Sequence, residues 1–122
     1  MPARLKPADR LDVADARARI RAAHDAQEAP AKADLKLLTK HYLAVLEAKA
    51  PGKSVEVRIP PFAAIQCIEG VRHTRGTPPA VIETDAATWI ALATGELAWT
   101  DAEARVRASG ERTDLTPYLP LG

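Results

Sequence analysis

The chain has 122 residues, 17 basic and 16 acidic side chains, and 47% apolar residues, which bounds it to one compact domain, residues 1–122, of about two packed layers. Twenty-five of the apolar residues are Ala and only five are aromatic, so the expected core is thin at about 25 cal/mol per Å² of buried apolar surface. The net charge of +1 splits as +3 over residues 1–50 and −2 over the remainder, which excludes a nucleic-acid-binding arm.

The first expected element is a long helix from Pro7 to Glu28, dense in Ala, Arg and Asp, with Pro7 and Asp9 supplying helix-start chemistry. Its inward seam is narrow: Val13, Ala16, Ile20 and Ala23. Pro30 ends it, and Asp34 is the expected cap of a second helix running to Ala50, where Pro51-Gly52 stops it. Leu35, Leu38, Tyr42, Leu43, Val45 and Leu46 form a broad apolar stripe, while Lys36, Lys40 and Glu47 face outward. The short Ala29-Pro30-Ala31 joint predicts an antiparallel helical hairpin over residues 7–50.

From residue 54 the period changes from 3.6 to 2. Val55, Val57 and Ile59 alternate with Glu56 and Arg58, the pattern of a strand with one wet face, ended by Pro60-Pro61. Phe62 to Glu69 is nearly continuously apolar and reads as a more central strand covered on both faces. Ala80 to Glu83 is a third strand, and Pro78-Pro79 sets its start near a sheet edge.

A short helix follows, capped by Thr84 or Asp85, carrying Trp89, Leu92 and Ala93 inward and stopped by Gly95. Thr100 to Glu103 has the spacing of a capping box, so a helical turn is expected there. Ala104, Val106 and Ala108 then alternate with Arg105, Arg107 and Ser109 as a final strand with one charged face. Thr116 to Pro120 fits one last capped turn. The order predicts an α+β fold: a mostly antiparallel sheet over residues 54–121 with helices on one face.

Catalytic chemistry is thinly represented. Cys67 is the only cysteine, which excludes an internal disulfide framework and any zinc site with two or more thiolates. Cys67 and His73 are the one Cys and His pair close in sequence, and Cys67 sits within an apolar strand, where it fills the core. His24 and His41 lack metal-ligand spacing, and the six glycines form no phosphate loop. Glu83 with Asp85, and Asp101 with Glu103, stand at helix starts and read as capping groups. The expectation is therefore no catalytic residue, no metal and no cofactor.

Two sets of residues suggest binding instead. In the loop from Val71 to Pro79, Arg72, His73 and Arg75 gather two permanent cations and a titratable ring, suited to an anion or a polar head group. The alternative is an exposed hairpin loop whose arginines pair with Glu69, Glu83 or Glu96. Trp89, Leu92, Leu97 and Trp99 would face Val57, Ile65 and Cys67, either closing a core or lining an apolar cavity for an acyl chain or sterol.

The stretch ETDAATWIALATGELAW, with ASGERTDL further on, resembles the bacterial sterol carrier protein-2-like family over roughly Val55 to Leu121. The resemblance implies a mainly antiparallel sheet covered on one side by helices, an apolar groove between them, and non-catalytic binding or transfer of sterols, fatty acids and related lipids. It implies structural motifs rather than a catalytic set. On this reading Leu38 and Tyr42 of the second helix join Val57, Ile65, Cys67, Trp89, Leu92, Leu97 and Trp99 as the candidate apolar site, with Arg72, His73 and Arg75 as candidate head-group contacts. The expected ligand is an apolar small molecule, with no nucleic acid and no integral membrane segment. With no signal-peptide pattern after Met1, the expected location is cytoplasmic. The competing expectation is an interaction module with a filled core, dimerising or meeting a protein partner through the Ala-rich first helix.

Overall fold

The computed structural model describes residues 5–70, 80–110 and 114–122. Helix α1 spans Arg10–Asp25, and Asp9 caps it by accepting from the Leu11 amide at 2.8 Å. Helix α2 spans Lys32–Lys49. The two run antiparallel, tied near one end by Ala8 and His41 and near the other by Arg19 and Asp34. Ala16 is the fully buried residue of α1, flanked by half-buried Val13, Ile20 and Ala23, so the narrow Ala seam is the face that meets the rest of the molecule.

Strands β1 (Val55–Ile59), β2 (Ala63–Cys67), β3 (Ala80–Glu83) and β4 (Arg107–Ser109) form one sheet in the order β2-β1-β3-β4. Pairs β1–β2 and β3–β4 are antiparallel, whereas β1–β3 is parallel, so the mostly antiparallel sheet is strictly mixed. Register places Val57 beside Ile65 and Ile82, and Val55 beside Cys67 and Ala80. All six are buried and share the pleat face that the helices cover. Glu56, Arg58, Gln66 and Glu83 occupy the other face, where Arg58 and Glu56 form an ion pair.

Helix α3 (Ala86–Thr94) begins at Asp85, whose carboxylate accepts from the Thr88 amide at 2.8 Å, and ends at Gly95 with φ 84°. That left-handed stop is the reason a glycine stands there. A single turn, α4 (Trp99–Ala102), leads through a 3₁₀ turn at Glu103–Arg105 into β4, and a second 3₁₀ turn spans Thr116–Tyr118. The result is the expected α+β arrangement, helices over one face of a sheet.

Five local expectations are corrected. Strand β2 is an edge strand with Ala64 and Gln66 exposed, because the alanines that made its sequence look continuously apolar do not need cover. Strand β3 lies inside the sheet, between β1 and β4, and its ladder starts at Ala80, whose amide donates to Ser54 O; Pro78 and Pro79 precede it in sequence and lie outside the described residues. Asp34 is not a cap. The Ala31 carbonyl accepts from the Asp34 and Leu35 amides, which makes Ala31 the cap position and leaves Asp34 in the first turn. Thr100 does not cap either, since the turn starts on the Ala98 carbonyl and already contains Thr100. The closing strand is only three residues long, its first part being wound as the 3₁₀ turn, and all three residues are exposed.

Candidate functional site

The interior between the helices and the sheet is built from the apolar stripe of α2 and the inward residues of β1, β2, β3 and α3. Leu38 and Tyr42 meet Val57, Ile65, Cys67 and Trp89 in a single buried cluster. Trp99 is half-buried and packs against it, Leu92 is buried and Leu97 half-buried. Leu43, Leu46, Ile82 and Leu115, absent from the candidate set, are as deeply buried in the same cluster. The first two continue the α2 stripe, and Ile82 continues the β3 alternation, so their signal was periodicity.

One polar thread crosses this interior. Trp89 Nε1 donates to the Thr39 carbonyl at 3.3 Å, joining α3 to α2. The Thr39 hydroxyl is fully buried and finds no partner among the described residues. Cys67 is buried, and desolvation, aided by the charge of Glu47, pushes its thiol up to about 12, which makes it a poor nucleophile. His41 accepts from the Ala8 amide through Nδ1 at 3.0 Å, and burial holds its pKa below the ordinary histidine value. Among the described residues no three His, Cys, Asp or Glu side chains gather into a metal site.

Arg72, His73 and Arg75 lie outside the described residues. Cations gather elsewhere. Lys32, Lys36 and Lys40, spaced by four along α2, line a groove of about 480 Å³ with Ala33, Pro61 and Phe62. None of the three amino groups pairs with a described carboxylate. Asp34, the one acid in the first turn of α2, is held by Arg19 instead.

This arrangement runs against helix electrostatics. Like charges at i and i+4 cost about 0.2–0.5 kcal/mol per pair, and cations near a helix N-terminus oppose the macrodipole. Phe62, from the turn between β1 and β2, is half-buried and packs against the main cluster, so the groove adjoins the interior. The lysine spacing was legible in the sequence; the facing Phe62 was not, since it comes from a different element.

A second groove, about 220 Å³, is lined by Pro60, Glu83, Thr84, Asp85, Arg105 and Arg107. Its charges are mixed, and its Thr84 and Asp85 are engaged: Thr84 Oγ1 donates to Arg105 O and Asp85 caps α3.

The family model described as bacterial SCP ortholog matches residues 31–121. The match begins at the cap position of α2 and takes in all of the sheet, so it extends beyond the span of the sequence resemblance and leaves α1 outside. No curated protein matches the chain.

Proposed function

The chain belongs to the bacterial sterol carrier protein family, and from that membership we propose that it is a non-catalytic carrier of an apolar small molecule, an acyl chain or polycyclic lipid. The ligand would lie between the sheet and α2 and α3, against Leu38, Tyr42, Val57, Ile65, Cys67, Trp89 and Leu92, with Leu97 and Trp99 at the margin. The observation that carries the reading is the gathering of six of these side chains, from four separate elements, into one apolar interior. Each methylene buried there would contribute about 0.8 kcal/mol, so an acyl chain supplies ample driving force.

A delipidated sample incubated with fatty acids and sterols, then examined by native mass spectrometry, should retain one of them. Failure across both lipid classes would remove the carrier reading.

The same burial supports a second reading, an interaction module with a filled core. Leu11 on α1 favours it, being 71% exposed where the other large apolar side chains among the described residues are at least partly covered. Removal of residues 1–29 should then lower the mass of the assembly in solution, whereas a monomeric carrier keeps its ligand and its state.

A further inference from the structure

We infer that the groove of Lys32, Lys36 and Lys40 is the head-group site of the carried molecule and that it takes a phosphate-bearing amphiphile. This inference rests on the carrier reading and adds the polar half of the ligand.

Three features of the groove converge. Its charge is uncompensated: three ammonium groups line the first half of α2, that of Lys32 in the first turn, with no described carboxylate paired to them, and the nearest acid in the sequence is taken by Arg19. An anion in the groove removes the mutual repulsion of the three ammonium groups. Charge count selects the head. Three unpaired cations around one groove are matched better by a phosphate dianion than by a monovalent carboxylate, and lysine side chains are long enough to converge on it from successive turns.

The third feature is apolar. Phe62 and Pro61 form the opposite wall, and Phe62 also packs on the buried cluster. A head held by the lysines therefore places its attached chain against Phe62, at the junction of groove and interior. The volume of about 480 Å³ suits a head group with the first part of a chain.

Probes of one chain length with different heads test this: decyl phosphate, decanoate and decanol, with inorganic phosphate as the head without a chain. Amide shifts in a titration of the full chain should fall on Lys32 to Lys40 and Phe62 for both phosphates, and decyl phosphate should bind most tightly. The Lys32→Gln, Lys36→Gln, Lys40→Gln variant should bind decyl phosphate about tenfold more weakly and decanol unchanged. A Lys6→Gln, Lys53→Gln variant, altering two exposed lysines outside the groove, should behave as the native chain. Phe62→Ala should weaken decyl phosphate while leaving inorganic phosphate unaffected.

If decyl phosphate binds the triple variant as it binds the native chain, or shifts residues away from α2, the head-group site is overturned while decanol binding keeps the carrier reading. If inorganic phosphate shifts the lysine stripe and no chain-bearing probe binds more tightly than it does, the carrier reading falls and the anion site stands alone. Should the triple variant fail to fold, Lys36→Gln by itself must still weaken decyl phosphate selectively.

Discussion

Arg19 and Asp34 join the two N-terminal helices through a forked contact: Nε reaches both carboxylate oxygens, at 3.0 and 3.1 Å, and Nη2 reaches Oδ1 at 2.9 Å. The pair is asymmetric. Asp34 is almost fully covered, whereas the Arg19 side chain is 57% exposed, so loss of the arginine strands a carboxylate that water reaches poorly. The guanidinium pKa is raised by the hydrogen bond and charge of Asp34.

Arg19→Gln should therefore lower the Tm by about 5 °C at low salt and by less at high salt, since the exposed partner is screened. Replacing both residues, as Arg19→Leu with Asp34→Leu, should recover most of that loss. Thermal denaturation of the single and double variants at two ionic strengths checks both statements.

His41 gives the stability a pH dependence of definite sign. Its Nδ1 accepts from the Ala8 amide and its ring stands edge-on to Tyr42 at 4.8 Å, a geometry that uses the neutral ring. Burial lowers its pKa in the folded chain, so the unfolded chain binds the proton more readily. The contribution is fully present above the unfolded value of about 6.5 and is lost as pH falls through the lower folded value. In His41→Phe, the fall in Tm between about pH 7 and about pH 5 should be smaller than in the native chain.

Thr39 carries a buried hydroxyl that costs more than it contributes. Its carbonyl serves Trp89, but Oγ1 has no partner among the described residues. Thr39→Val keeps the branched shape and removes the stranded polar atom, and should stabilise the fold by about 1 kcal/mol. Urea denaturation should show a higher midpoint with an unchanged slope.

Cys67 reports on opening of the two layers. With the thiol pKa at about 12, only about one molecule in ten thousand carries a thiolate at pH 8, and the sulfur is covered as well. A thiol reagent should leave the native chain unmodified over the time in which it fully labels the unfolded chain. The labelling rate should rise along the urea transition.

The regions that were legible from sequence are those whose determinants are local. The α2 stripe, the β1 alternation and the Asp85 and Gly95 ends of α3 each lie within a few residues of one another. The sheet order was not legible, because the parallel pairing of Val57 with Ile82 joins strands with β2 and a further twelve residues between them. Asp34 shows the same limit at a single residue: its position before an apolar run suggested a cap, and a partner fifteen residues away claimed it. For the candidate site, the buried interior residues followed from periodicity, while the lysine groove needed two elements to meet.

The junction of Gly52 and Ile68 fixes one end of α2 to the sheet. A Cβ at Gly52 would stand 2.2 Å from the Ile68 carbonyl carbon, and the Ile68 amide donates to Ala50 O at 2.6 Å. Ile68 itself holds φ at 65°, a conformation few branched residues adopt. The C-terminal end of α2 is thus sewn to the end of β2, and no other main-chain bond joins α2 to the sheet among the described residues. At the other end of α2, the end that carries Phe62 and the lysines, helix and sheet are held together by side-chain packing alone among the described residues. On the carrier reading, that is the end at which cargo would enter without breaking a main-chain bond.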